Sequence, residues 1–426
     1  MKIKLKSATI VDPSSKHHLK KRDILISNGK IEKIASELSS SDLPKSSKDK
    51  IQEISLKNLH VSQGWFDSSV SFGEPGFEER ETIENGLKTA AFSGFTSVAV
   101  NANSFPVSDS KGHIKFLRSK GEESAVHLYP IGALTLGSKG EDLAELFDMQ
   151  NEGAVSFYDY KKPIANANLL KIALQYSQNF DGLVQSFPFE KSVARNGVVN
   201  EEINGTKLGL KGIPALSEEL QIIRDLYILE YTGGKLHIPT ISTKKSVELI
   251  RDAKKKGLKV SCSVAIFNLS LTDKALEGFD TNFKLLPPLR TNDDVKALIK
   301  GLKDGTIDGI TSDHNPLDVE RKNVEFDRAD FGSIGLEISF GVLNKILGLE
   351  KSVEVLTNLK DTFKIPTLKI AEGQPADLSL FTPEETWTFM QKDIVSTSKN
   401  AALLGEKLKG KAYGIFSNNN LVLNTK

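Results

Sequence analysis

Asp67, Ser69 and Ser71 stand at alternate positions of the run GWFDSSVSFGEPG, residues 64–76. Residues two apart on a strand point to one side, so the three face one interior, the side on which a barrel enzyme keeps its chemistry. Gly73, Glu74, Pro75 and Gly76 then turn the chain. A second run, TSDHNPL (residues 311–317), sets Asp313 beside His314, a pairing that suits an acid/base couple. Serine nucleophile chemistry is disfavoured: Ser69, Ser71 and Ser186 have no matching His other than His314, and no Gly-x-Ser-x-Gly elbow occurs. The one cysteine, Cys262, excludes an internal disulfide and a cysteine-based metal cluster, and reads as a small buried hydrophobe on a strand.

The elements that must position these residues follow from the hydrophobic period. Lys2 to Ile10 alternates polar and apolar residues, and the apolar runs Asp23 to Ile26 and Lys30 to Ile34 flank Asn28 and Gly29, a hairpin signal because both residues accept positive φ. Residues 1–60 therefore read as a small β unit, with Ser39 to Lys50 a polar loop. From His60 onward, short apolar runs alternate with helix-length amphipathic segments, the signature of βα units on a parallel sheet. Strands are predicted over Trp65 to Phe72, Thr96 to Val100, Val126 to Ile131, Ala154 to Tyr158, Gly182 to Ser186, Lys235 to Ile241, Val260 to Ala265 and Gly309 to Ser312. Helices are predicted over Glu81 to Phe92, Leu169 to Gln178, Glu218 to Tyr231, Lys245 to Lys256 and Asp293 to Leu302. Eight strands with intervening helices fit a closed (β/α)8 TIM barrel, which takes ~250 residues.

A chain of 426 residues has room for such a barrel and a smaller appended domain, and its 39% hydrophobic and 26% charged content is that of a globular protein. A net charge of +1 carries no nucleic-acid footprint. No stretch approaches ~18 consecutive apolar residues, and the N-terminus lacks a signal-peptide core. The expectation is a cytoplasmic protein that meets small molecules or proteins, with no membrane or nucleic-acid partner. Lys244, Lys245 and Lys254 to Lys256 read as the solvated face of a helix.

The runs GFEERETIENGLKTAAFSGFTSVA, NGVVNEEINGTKLGLKGIP, TKKSVELIRDAKKKGLKV, FKLLPPLR, ALIKGLKDGTIDGITSDH and FGSIGLEISFGVL cover nearly the whole barrel region. With the run at 64–76 they resemble dihydroorotase, of the amidohydrolase superfamily; a hydantoinase or allantoinase is a weaker fit. The resemblance implies a barrel over 61–364. IAEGQPADLSLF, from Ile370, resembles the run with which the family returns to its N-terminal unit, so 1–60 and 365–426 would form one discontinuous β-sandwich domain.

The family opens and closes a cyclic amide with two zinc ions and a bridging hydroxide, zinc lowering the pKa of its water and polarising the carbonyl. Its first strand reads Asp-x-His-x-His-x-Arg-Glu-Pro-Gly; here Asp67, Glu74, Pro75 and Gly76 match, but Ser69 and Ser71 replace the ligand histidines and Gly73 replaces the substrate-binding Arg. AVSFYDYKKP aligns Asp159 with the bridging carboxylate and puts Tyr160 and Lys161 where the family has Asp-Gly; a Lys there opposes a bound cation. Ser186 in LVQSF and Thr240 in HIPTIST replace two further ligand histidines, with His237 kept. TSDHNPL keeps Asp313 and His314 and loses a substrate-binding His to Leu317, while Leu286 replaces an Asn in KLLPPLR. Asn103 in VNANSFP is the retained substrate-binding position.

Of the expected metal ligands, Asp159 and Asp313 remain. Neutral hydroxyls are poor zinc ligands, two carboxylates do not complete a tetrahedral site, and only a loosely held, water-ligated Mg2+ is left as an option. The expectation is a family member without a metal cofactor and catalytically silent. The resemblance implies a structural or regulatory role in pyrimidine synthesis, with aspartate carbamoyltransferase as partner, and a homodimer. Asp313 is then a buried carboxylate in need of a donor among Ser69, Ser71, Thr240 and Lys161. His237 is a packed strand residue, and His17, His18, His60, His113 and His127 lie outside the motifs. The alternative is an active cyclic amidohydrolase with an atypical metal site or none, using Asp313 as base and Asn103 to orient substrate. A pocket that binds a pyrimidine-like ligand without reacting is a third reading.

Overall fold

Eight short apolar runs form a parallel sheet in chain order: Trp65–Val70, Phe95–Val100, His127–Gly132, Ser156–Phe157, Val184–Gln185, Leu236–Ile238, Val260–Ala265 and Gly309–Thr311. They are the first to eighth barrel strands below. The structure is a computed structural model and describes residues 2–38 and 51–424; the polar loop predicted over Ser39–Lys50 lies outside the described residues. Parallel neighbours need crossover connections, which helices Ile83–Phe92, Lys111–Gly121, Ala167–Ser177, Ala215–Thr232, Lys244–Lys255 and Asn292–Lys303 provide. Each predicted strand and helix has its counterpart within a few residues. Cys262 is buried on the seventh strand, its thiol pushed up by burial.

The first strand ends at Val70 rather than Phe72. The register between it and the second strand shifts between Asp67 and Val70, and Ser71 instead donates its N–H to the carbonyl of His314 at 2.8 Å. That bond lies on the seam between the first and eighth strands, which no backbone ladder joins among the described strands. A side chain closes it. Asp67 accepts from Thr311 Oγ1 at 2.7 Å and the Ser69 N–H at 3.1 Å on one oxygen, and from the Ser312 N–H at 3.0 Å on the other. Burial lifts its pKa to about 6 against the pull of these donors.

Phe66, Ala99, Ile131, Leu183 and Phe363 form one apolar cluster. The Phe363 ring meets Phe66 at 5.5 Å and His237 at 5.4 Å. A second sheet takes strands from both ends of the chain: Lys2–Val11, Lys21–Ser27, Lys30–Ala35, Gln52–Ile54 and His60–Gln63 with Leu378–Thr388, Lys407–Ser417 and Asn420–Leu423. Asn28 and Gly29, at φ +49° and +74°, make its two-residue hairpin. This sheet has its own core, built on Ile3, Leu5, Ile24, Ile26, Val61 and Leu380, and meets the barrel at Trp65, whose indole stacks on Phe340 at 4.8 Å and donates to Ser62 Oγ at 2.9 Å. Among the described residues, no helix is long and apolar enough to cross a membrane.

Asp67 makes the seam pH-dependent in a defined direction. Between its ordinary value of 3.8 and about 6 the native carboxyl keeps a proton that the unfolded chain has released. Its contribution to stability is therefore full below the lower value and lost as pH rises through the upper one. Urea denaturation should show the stability of the wild type relative to Asp67→Asn falling, by up to about 3 kcal/mol, between about pH 4 and 7.

Candidate functional site

The residues matched to the family's active site sit at the C-terminal ends of the barrel strands, where barrel chemistry is placed. Three of them hold left-handed backbone: Lys161 after the fourth strand (φ +53°), Thr240 after the sixth (φ +52°) and Asp313 after the eighth (φ +48°). Such a conformation costs ~1–3 kcal/mol and is an outlier for a β-branched residue. At Thr240 the backbone therefore takes a conformation that its side chain does not favour.

At the centre of the mouth an ion pair joins Lys161 Nζ to Asp313 Oδ2 at 2.8 Å, with side-chain exposures of 10% and 4%. The Tyr160 hydroxyl donates to the other oxygen of Asp313 at 3.4 Å and also meets the Ser71 hydroxyl. Burial raises the Asp313 pKa and Lys161 opposes that rise; burial and the Asp313 charge push the Tyr160 phenol well up. Of the four donors weighed for Asp313, Lys161 is the one used, and Tyr160 joins it.

Ser69 and Ser71 are held by an amide that the sequence motifs did not single out. Asn101, just beyond the second strand, donates from Nδ2 to Ser69 Oγ at 3.1 Å and to Ser71 Oγ at 3.3 Å. Its signal lay in VNANSFP, two residues before the family's substrate position at Asn103. Among the described residues, Asn103 Oδ1 and Thr240 Oγ1 are buried without a hydrogen-bond partner.

The remaining positions face elsewhere. Ser186 Oγ donates to Asp225 at 2.6 Å, a carboxylate on the surrounding helix Ala215–Thr232 that also pairs with Arg224 at 2.8 Å. Asp159 accepts from the N–H groups of Leu134 and Thr135 at 2.9 and 3.0 Å and from the Thr135 hydroxyl, so both oxygens tie down the loop after the third strand. It shares no partner with Asp313. His237 lies between the hydroxyls of Ser261 and Ser263 at 2.8 and 3.2 Å, and burial drops its pKa to about 3. His314 accepts the Gly335 N–H at 3.2 Å, is also held near 3 by burial, and makes no contact with Asp313. As a neutral ring turned to Gly335, it forms no acid/base couple with its neighbour.

These donors do not fit a pair of zinc ions. Among the described residues no three His, Cys, Asp or Glu side chains converge; the hydroxyls of Ser69, Ser71 and Ser186 are committed to amide and carboxylate partners, and Asp313 is neutralised by an ammonium. Gly73 shows the same for substrate. A Cβ there would lie 1.8 Å from the Phe77 carbonyl oxygen, so no side chain, least of all Arg, fits without moving the loop. The centre is also closed off, with Ser69, Ser71 and Thr240 exposed by 4%, 3% and 2%. A cleft of about 890 Å³ opens beside it, lined by Leu317, Asp318, Lys322 and Asn400 but not by Asp313 or Asn103. Lys322 donates to the carbonyls of Thr281 and Asp330 at 2.6 and 3.0 Å, and Lys284 to those of Phe326 and Asp327 at 2.8 and 2.9 Å, clamping the segment around the mouth.

Comparison with known proteins places this geometry in context. The Dihydro-orotase-like family model matches residues 60–246. A protein named dihydroorotase from Pelotomaculum thermopropionicum is 39% identical over 417 residues, 96% of each chain. One from Geotalea daltonii is 38% identical over 422 residues, 97% of each. Among solved structures, L-hydantoinase from Arthrobacter aurescens superposes with a TM-score of 0.83 at 20% identity, covering 99% of this chain and 97% of that one. Dihydropyrimidinase from Brevibacillus agri gives 0.82 at 21%. At that identity the superpositions speak for the fold alone, a TIM barrel.

The ion pair yields a double-mutant test. Lys161→Met strands a buried carboxylate and should cost ~3–5 kcal/mol in urea denaturation. Adding Asp313→Asn, which keeps the side-chain shape and tolerates left-handed backbone, should return most of that loss.

Proposed function

The chain belongs to the dihydroorotase family, and we propose that it is a member in which an internal ion pair replaces the metal chemistry, leaving a protein with a structural or regulatory role. The observation that carries this reading is the Lys161 ammonium at 2.8 Å from Asp313. An ammonium supplies one positive charge where the family keeps two dications, so it balances a single carboxylate and no more. It cannot bring the pKa of a water from 15.7 to ≈ 7, as a catalytic metal does. Asp313, held in that pair, is not free to take a proton from a nucleophile, and the Gly73 loop leaves no space for a carboxylate-binding Arg.

A barrel retained without its reagents has its surface left to act with. The family resemblance makes aspartate carbamoyltransferase, which precedes dihydroorotase in pyrimidine synthesis, the partner to test first. The reading of an active enzyme draws on a different observation, the 39% identity to proteins named dihydroorotase across nearly the full length, together with the carboxylates Asp159 and Asp313 at their family positions.

Metal analysis by inductively coupled plasma mass spectrometry, after expression with added zinc, separates the two. The expected result is zinc far below stoichiometric, no interconversion of dihydroorotate and carbamoyl-aspartate, and co-elution with the carbamoyltransferase. One or two tightly held zinc ions per chain with turnover would overturn the proposal and return Asp313 to the role of base.

A further inference from the structure

At the N-terminal ends of the barrel strands, away from the mouth, a cavity of about 370 Å³ lies between the barrel and the second sheet. The barrel contributes Ser97 from its second strand and His127 and Tyr129 from the start of its third. The second sheet contributes Asp377, just before Leu378–Thr388, and Ser417, the last residue of Lys407–Ser417. Ile365, Pro366, Leu368 and Pro375 supply apolar walls.

Polar groups of this lining lack partners. Among the described residues, Asp377 Oδ1 and Ser417 Oγ are buried with no hydrogen bond, in residues exposed by 8% and 0%. The Tyr129 hydroxyl has none either, and its ring sits beside that of His127 at 6.4 Å. Burial and the Asp377 charge push this phenol up to about 12, so it keeps its proton and can donate. The other oxygen of Asp377 is taken, accepting from Thr96 Oγ1 at 3.1 Å and from Lys360 Nζ at 3.3 Å. Lys360 already balances the carboxylate, so Oδ1 calls for a neutral N–H and not for a second cation. Buried polar groups in native structures are met by protein, water or ligand, and a lining of prolines and aromatic rings around a few polar atoms is that of a small-molecule site.

We propose that this cavity binds an adenine nucleoside. Adenine carries its amino group between two ring nitrogens that accept, N1 and N7. One amino N–H then meets Asp377 Oδ1, the hydroxyls of Ser417 and Tyr129 donate to the flanking nitrogens, and the ring lies among Tyr129, Pro366 and Pro375. Cytosine has only one such flanking nitrogen, and hypoxanthine sets a carbonyl oxygen against the carboxylate. The ribose has room in an adjoining cleft of about 480 Å³ that shares His127, Tyr129 and Asn418. Charges there balance, Arg118 and Lys364 against Glu122 and Asp181, so no phosphate is called for. The strand N-terminal end of a barrel serves stability, not catalysis, and a ligand that ties the barrel to the second sheet stabilises the folded chain. The proposal does not depend on whether the barrel mouth is catalytic.

Equilibrium dialysis of labelled adenosine against the full chain tests it. The expected result is one site per chain with a submillimolar Kd, and a melting temperature that rises with adenosine. Inosine and cytidine should bind at least ~10-fold more weakly, and adenosine monophosphate as tightly as adenosine. Ser417→Ala and Tyr129→Phe remove hydroxyls that have no partner in the free protein, so each should leave the ligand-free circular dichroism melt unchanged and weaken adenosine ~5-fold. No retention of adenosine at millimolar concentration, with water alone filling the cavity, would overturn the proposal. So would inosine or cytidine binding as tightly as adenosine, or an affinity indifferent to both substitutions.

Discussion

Closure of the barrel rests on one buried carboxylate. A parallel sheet of eight strands leaves two edges unless the first and last strands meet, and here no ladder joins them. Asp67 bridges the gap through the Thr311 hydroxyl and the Ser312 N–H. The bond from the Ser71 N–H to the His314 carbonyl continues the line into the mouth. Ser69 and Ser71 on one side of that seam, and Asp313 on the other, take their positions from it. Holding a carboxylate with hydroxyl and amide donors and no cation costs desolvation, which is why its pKa is lifted toward 6. The donors offset part of that cost, and the geometry they impose makes the rest of the mouth possible.

At the mouth the substitutions form a mutually consistent set. An Asp exposed by 4% needs a cation or a proton, and the Tyr160-Lys161 pair, standing where the family has Asp-Gly, supplies both an ammonium and a hydroxyl donor. Hydroxyls in place of imidazoles need partners of their own length, and the Asn101 amide reaches both. Gly73 allows the Phe77 carbonyl into space that a side chain would fill. Agreement among separate local choices is what distinguishes a specified arrangement from scattered losses.

Much of this was legible in the sequence, for identifiable reasons. Period-two and helical patterns located the strands and helices because burial on a parallel sheet leaves a strong hydrophobic signal, and Asn28-Gly29 marked its hairpin through backbone conformation alone. Lys161 was a candidate counter-ion for Asp313 because it lay one loop from a family carboxylate. What escaped was pairing at a distance. Nothing in LVQSF shows that Ser186 turns to Asp225 on a helix, nor in AVSFYDYKKP that both oxygens of Asp159 are taken by Leu134 and Thr135. Asn101 escaped because an amide beside a known motif position carries no signal until two hydroxyls from another strand are brought to it.

Three polar atoms at the mouth are left over. Thr240 Oγ1, Asn103 Oδ1 and His314 Nε2 are buried without a partner, and an unmet buried polar group costs ~1–3 kcal/mol. A mouth remade purely as core would lose these groups to apolar side chains, as it has at Leu317 and Leu286. Instead Thr240 also bears left-handed backbone that a β-branched residue resists. Thr240 stands at a family ligand position and Asn103 at a substrate position, and the favourable pairs at the same mouth are Lys161 with Asp313 and Asn101 with the serines. Strain and unmet polarity thus meet at Thr240, after the sixth strand. The ion pair ties the end of the fourth strand to that of the eighth, and the amide bridge ties the end of the second to that of the first.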